Sequence, residues 1–432
     1  MQEKDILIAP LVSRANRYSF AALFGFLSSH LSRGLGSGPG AKRVAPLGAC
    51  EDVHSILRSA EPQTHIVFAF SFCTPDIAGA AALIRNVREA VSQSGHRNTT
   101  LVAGGPHPSG DPAGCLRMGI DICVVGPGEI PFLEILEALA RGRRVDGLPG
   151  VVTRAGQSPQ QAPDVDLDGY LPAYPEARLF APIEISRGCP QGCAFCQTAQ
   201  IFGARMRHRS TETLARWFRE VRDRGHTTGR VITPNAFAYG SACFDTPNHG
   251  SLEHVLRSAC ESVGRENVYF GGFPSEVWPK SVTREAVRLV KRFTANRRLV
   301  LGAQSGCQAV LDRIHRRHTP DDVERAVRII LDEHLTADVD FIVGFPGETD
   351  EERAESVRFM RELVNLGARI HTHSFLPLAG TRLYDSAPSP VDPDTRLALE
   401  QLSGSGVAFG QWLTQENLAA EIRAYRADPR SH

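Results

Sequence analysis

Three cysteines, Cys189, Cys193 and Cys196, stand at C-x3-C-x2-C spacing in the run Ile185-Ser186-Arg187-Gly188-Cys189-Pro190-Gln191-Gly192-Cys193-Ala194-Phe195-Cys196. Thiolates this dense on one short loop suit iron–sulfur or zinc ligation in a reducing compartment. The chain's ten cysteines in 432 residues do not make a disulfide scaffold. The two metals differ in the fourth ligand. A structural zinc site takes four protein donors, which Cys243 or Cys307 would have to complete, whereas a cubane on three thiolates leaves one iron open to a small molecule.

The loop needs a scaffold, and the flanking sequence describes one. At 432 residues the chain implies two large units. Residues 1–150 alternate buried-strand runs (His65 to Phe70, Thr100 to Ala103, Ile122 to Val125) with helical stretches (Asp76 to Ser94, Glu129 to Arg141), the rhythm of an open parallel sheet flanked by helices. Met1 to Pro10 reads as a first strand and not a signal peptide, and Gly34 to Gly40 as a mobile surface loop. Between 151 and 182 the rhythm breaks around Pro159, Pro163, Pro172, Pro175 and Pro182, as in a linker.

From Ile183 the alternation resumes. Strands are expected at 183–186, 230–233, 267–271, 299–303, 338–343 and 370–375, six β/α units of a partial barrel over 183–385, with a helical extension over 386–432. Reactive groups of such a barrel belong at the carboxyl ends of its strands. Tyr239, Cys243 and Glu276 lie after such strands, without a role as base or hydrogen donor assigned to any. The basic run Arg205 to Arg209 reads as a solvated face or as a seat for a substrate carboxylate or phosphate.

Composition narrows the field. With 48 basic and 48 acidic residues the formal charge is +0, so no polyanionic partner is indicated and nucleic acid is not expected. No apolar run is long enough to span a bilayer, and a cytoplasmic location is expected.

The cysteine loop, and with it most of residues 183–380, resembles the radical S-adenosylmethionine (SAM) superfamily. The resemblance implies a [4Fe-4S] cluster on Cys189, Cys193 and Cys196, with SAM chelating the open iron and cleaved reductively to a 5'-deoxyadenosyl radical. Phe195 resembles the residue that packs near the adenine. Thr233-Pro234-Asn235 occupies the place of the loop that binds the SAM amino group, although it departs from the usual Gly-Gly-Glu. Gln304 and Ser305 would offer donors to ribose or the methionine carboxylate. Gly344 and Phe345, in Phe341 to Thr349, resemble the motif that walls the adenine. An external donor of flavodoxin or ferredoxin type is then implied.

The first unit resembles the B12-binding domain that precedes this barrel in one subgroup, over residues 50–140. Its strand ends carry Ser71, Gly104-Gly105 and Gly126 to Glu129, in the order of the groups around the nucleotide tail of cobalamin. Glycines there allow close backbone approach, and a helix opening at Glu129 favours polar groups. The Asp-x-His-x-x-Gly motif of an axial histidine is absent, and His107 reads as a loop residue at the ligand periphery. The alternative is a sheet that only packs on the barrel.

Two cofactors together imply methyl transfer from methylcobalamin to an unactivated carbon of a small-molecule or peptide substrate. Rearrangement or cyclisation without methylation is a second reading. Methylthiolation is a third, and it needs a second cluster from three N-terminal cysteines, whereas Cys50, Cys73, Cys115 and Cys123 are scattered. A non-catalytic cobalamin or redox sensor is the fourth.

Overall fold

The computed structural model describes residues 4–31, 42–44, 50–158, 160–180 and 182–427. The glycine-rich segment 34–40 lies outside them. The chain forms two compact units, one comprising 1–181 with 378–381 and 422–432, the other 182–377 with 382–421.

The first unit is built on a sheet with strands β1 (Ile6–Pro10), β2 (Lys42–Val44), β3 (His65–Ser71), β4 (Thr99–Gly104), β5 (Ile122–Val124), β6 (Val151–Thr153) and β7 (Gly156–Gln157). The described residues give the order β2-β1-β3-β4-β5-β6-β7. The first five strands run parallel, and β6 and β7 add antiparallel to the edge. Strand β3 is an unbroken apolar run because both of its faces are covered. Val67 and Ala69 join one core with Phe20, Phe24 and Ile135, while Ile66, Phe68 and Phe70 join the other with Ile84 and Val87. The 2-1-3-4-5 order of the parallel strands reverses direction between β1 and β3, where ligands of open α/β sheets bind at the carboxyl ends.

Of residues 151–182, expected as a linker, all but Pro182 belong to this unit. They supply β6 and β7, and Leu167, Tyr170, Tyr174 and Leu179 are buried in the first core. The prolines break regular structure there without detaching the chain, because the aromatic side chains anchor it.

In the second unit parallel strands β8 (Ile183–Glu184), β9 (Gly229–Ile232) and β10 (Val268–Tyr269) pair in that order, as do β11 (Arg298–Gln304), β12 (Thr336–Val343) and β13 (Arg369–Ser374). A parallel bridge between Val277 and Leu301 links the segment after β10 to β11. Helices such as Thr211–Asp223, Pro320–Asp332 and Asp350–Leu366 return the chain between strands, two of them started by capping boxes at Thr319 and Thr349. The expected helical extension 386–432 differs: between helices Pro393–Gly404 and Trp412–Ala427 lies β14 (Ala408–Gly410), which pairs parallel with β13. Among the described residues no helix is long and apolar enough to cross a membrane.

Candidate active site

The cysteine loop leaves β8 and lines a cavity of about 410 Å³ at the carboxyl ends of the barrel strands. Cys189, Cys193 and Cys196 share its wall with Phe195, Pro234, Glu276, Trp278, Gln304, Arg316 and Asp340. Gly188, at φ +89°, lets the loop turn in close, since a Cβ there would meet the Arg205 carbonyl oxygen at 2.2 Å. Among the described residues, the group of three His, Cys, Asp or Glu ligand atoms within 4.8 Å of one another is Asp340, His371 and His373, and not the cysteines. Three thiols line the cavity with no further cysteine or histidine beside them among the described residues, a donor set that suits a cubane with one open iron better than a closed four-ligand zinc site.

The charges around the loop are organised. Arg316 donates from Nη1 to Cys193 Sγ at 3.5 Å and from Nη2 to the Gly302 carbonyl at 2.6 Å, and lies 4.3 Å over the Trp278 ring. Arg187, buried at 4% side-chain exposure, pairs with Glu184 at 2.7 Å. Burial raises the Glu276 carboxyl above its ordinary range, and the nearby Asp340 charge adds to the rise. His318 packs edge-on to Trp278 at 5.0 Å, and burial, helped by Arg316, lowers its pKa to about 2, so it is neutral.

The positions expected to meet SAM divide into two groups. Phe195, Pro234 and Gln304 line the cavity. Asn235 does not, because its side chain is fully buried and spent: Oδ1 accepts from Phe237 N, Trp278 N and Ser281 Oγ, and Nδ2 donates to the Phe244 carbonyl. Ser305 is buried against Ser356 Oγ at 2.9 Å and accepts from Cys307 N, so its hydroxyl holds two segments together and is not offered to ribose. Gly344 and Phe345 stand behind the cavity wall. The φ of +79° at Gly344 aims two backbone N–H groups, its own and that of Phe345, at Glu348 Oε2, and the Phe345 ring lies 5.6 Å from Phe195.

Of the general candidates, Glu276 lines the cavity, Tyr239 is buried with its hydroxyl donating to the Arg209 carbonyl, and Cys243 is exposed. The run Arg205 to Arg209 is solvated at Arg205, which is exposed, and turns inward toward its end: His208 Nδ1 lies 2.8 Å from Ser186 Oγ, and Arg209 is 1% exposed and donates to the Glu184 carbonyl. Sequence reasoning passed over Arg316, Trp278, Asp340, His371 and His373.

In the first unit Ser71 and Gly104 are paired across β3 and β4. At Gly105, φ +93°, a Cβ would meet Ser71 Oγ at 2.7 Å, so glycine is required at this position, whereas a Cβ at Gly104 would make only an ordinary contact with Val124 at 3.7 Å. Gly126, φ +90°, donates its N–H to Ser109 Oγ. His107 is not a loop residue: it sits in the short helix Pro106–Gly110, fully buried, with Nδ1 3.1 Å from Thr74 Oγ1 and its ring against Phe72. So placed, its Nδ1 is engaged by Thr74, while its Nε2 is buried without a hydrogen-bond partner among the described residues. Glu129 starts the helix Glu129–Ala140 as expected, but it is buried and accepts from Tyr170 Oη at 2.8 Å.

Comparison with known proteins agrees with both units. The model of the radical SAM superfamily matches residues 183–360, and that of the B12 binding domain matches residues 39–136. This chain belongs to the radical SAM superfamily and carries a B12-binding domain. As a radical SAM enzyme of the cobalamin-dependent kind, its cofactors are a [4Fe-4S] cluster, SAM and cobalamin.

An uncharacterised methyltransferase of Pyrococcus horikoshii is 25% identical over 78% of this chain and 72% of its own length. A threonylcarbamoyladenosine tRNA methylthiotransferase of Treponema pallidum is 28% identical over 60% of this chain, which spans only 52% of that relative. Among solved structures, the radical SAM methyltransferase TsrM from Kitasatospora setae, with cobalamin and a [4Fe-4S] cluster bound, superimposes with a TM-score of 0.64 at 16% identity, covering 89% of this chain and 77% of its own. The cobalamin-dependent radical SAM enzyme OxsB gives 0.61 at 14% identity, over 83% and 52%. At these identities the superpositions establish a shared fold.

Proposed function

We propose that this radical SAM enzyme transfers a methyl group to an unactivated carbon of a small-molecule or peptide substrate. The observation that carries the reading is a cavity at the barrel mouth whose largely apolar wall carries three thiols together with the polar groups of Gln304, Glu276 and Asp340. When bound, the cluster and SAM supply a 5'-deoxyadenosyl radical and cobalamin supplies the methyl group. The chain's own groups do the rest. Cys189, Cys193 and Cys196 hold the cluster, Arg316 places a fixed cation beside it, and Phe195 and Pro234 exclude water from SAM while Gln304 orients it. Ser71, Gly104, Gly105 and Gly126 form the glycine-lined strand ends toward which a corrin tail would lie.

Methylthiolation is disfavoured by the first unit's cysteines: Cys115 and Cys123 are buried in its core and Cys73 is exposed, with no group of three converging among the described residues. The test is product analysis with deuteriomethyl-labelled SAM. Methyl transfer predicts both S-adenosylhomocysteine and 5'-deoxyadenosine, with label on cobalamin. Formation of 5'-deoxyadenosine alone, in the presence of bound cobalamin, would support rearrangement.

A further inference from the structure

Strands β12 and β13 are in register with Asp340 opposite His371 and Ile342 opposite His373. Side chains two apart in a strand share a face, so His371 and His373 project beside Asp340, while Thr372 and Ser374 are buried on the other side. His371 Nδ1 lies 2.9 Å from Asp340 Oδ1 and 3.2 Å from His373 Nε2, and the three ligand atoms all fall within 4.8 Å of one another. Stacking on the Phe409 ring, 4.5 Å away at 11°, fixes the His371 plane.

Hydrogen bonding alone does not satisfy this arrangement. One imidazole nitrogen carries either a proton or a lone pair, and His371 Nδ1 faces two partners. Gln415 tightens the conflict. Its Oε1 accepts from Ser374 N at 2.9 Å, which leaves its Nε2 donating to His373 Nδ1 at 3.3 Å and puts the His373 proton on Nε2, aimed at His371. His371 Nδ1 must then show a lone pair, and that lone pair meets the Asp340 carboxylate. A cation at the centre resolves all three contacts.

We propose that Asp340, His371 and His373 bind one divalent transition-metal ion, at a site separate from the cysteine loop. Two imidazoles and one carboxylate, with no thiolate, select Zn2+, Co2+ or Fe2+ over soft monovalent copper. The ligands come from one side of the barrel, which leaves coordination positions open. Asp340 also lines the cysteine cavity together with Glu276, so a substrate oxygen or nitrogen in that cavity has access to the metal as a Lewis acid. On binding, His373 moves its proton from Nε2 to Nδ1, and the Gln415 amide turns over to accept it, giving up Ser374 N–H.

The test is zinc titration of the anaerobically reconstituted chain, whose cysteines already carry iron. The wild type should bind one equivalent of zinc. His371→Gln with His373→Gln should weaken binding at least a hundredfold while iron content and circular dichroism hold. Gln415→Glu, which accepts from Ser374 N–H and His373 Nδ1–H together, should tighten it several-fold. X-ray absorption of the wild-type zinc adduct checks the same point without any variant: imidazole with N/O ligands only is expected. Sulfur ligation, equal zinc uptake by wild type and double variant, or no uptake by either would overturn the proposal.

Discussion

The Arg316 guanidinium donates to Cys193 Sγ at 3.5 Å while its plane lies 4.3 Å over the Trp278 ring, so a permanent positive charge is clamped against the thiol loop. Arg316→Met keeps the length of the side chain and removes the charge. A charge-assisted hydrogen bond contributes about 1.5–3 kcal/mol, which sets a loss of roughly tenfold or more in the SAM cleavage rate. The cluster's reduction potential should become more negative, because the cation favours the added electron. Potentiometric titration followed by electron paramagnetic resonance reads the potential, and an unchanged value would remove Arg316 from the account.

Replacing any of Cys189, Cys193 or Cys196 by Ala should abolish cluster retention. Cys243→Ala and Cys307→Ala should leave iron content at the wild-type level, since Cys243 is exposed and Cys307 is buried among Val310, Leu311 and Phe345. Iron and zinc analysis of the five purified variants checks this. Loss of metal in the Cys243 or Cys307 variant would revive a four-thiolate site.

Asn235→Ala should act on stability. It strips a buried acceptor from Phe237 N, Trp278 N and Ser281 Oγ and a donor from the Phe244 carbonyl. Buried groups left without partners cost about 1–3 kcal/mol each, less what relaxation recovers, so a net loss of about 3 kcal/mol is expected. Urea denaturation measures it. A change in SAM affinity with unaltered stability would return Asn235 to the role first read from its position.

Burial lowers the His107 pKa from 6.5 to about 4. Between these values the unfolded chain binds the proton that the folded chain refuses, so stability rises with pH across the window. The stabilisation is complete above about pH 6.5 and is lost as pH falls toward 4, by at most about 3 kcal/mol. Urea midpoints at pH 7 and pH 5 should differ by more in the wild type than in His107→Phe. Equal differences would show that His107 does not titrate with unfolding.

Much of this architecture was legible because buried parallel strands are written as plain apolar runs, and the strands at His65, Thr99, Leu299 and Ile370 appear within a residue or two of where the pattern puts them. The short strand at Ala408–Gly410 was not, since three residues carry no period. Residues 151–182 look like a linker because proline disrupts local pattern, and only tertiary packing of Tyr170 and Tyr174 shows that the chain stays docked. At the site, spacing alone identified the cysteines. It could not separate Gln304, which lines the cavity, from its neighbour Ser305, which is bonded inward. Asp340 did leave a signal, since with Asp338 it alternates with the apolar residues of β12, whereas His371 and His373 did not, because β13 carries polar residues on both of its faces.

The most direct measurement is anaerobic reconstitution with iron, sulfide and hydroxocobalamin, followed by desalting, metal analysis and assay with SAM and a reductant. The account predicts about four irons and about one retained cobalt per chain, with 5'-deoxyadenosine formed. Zinc retained without iron, and no SAM cleavage, would contradict it.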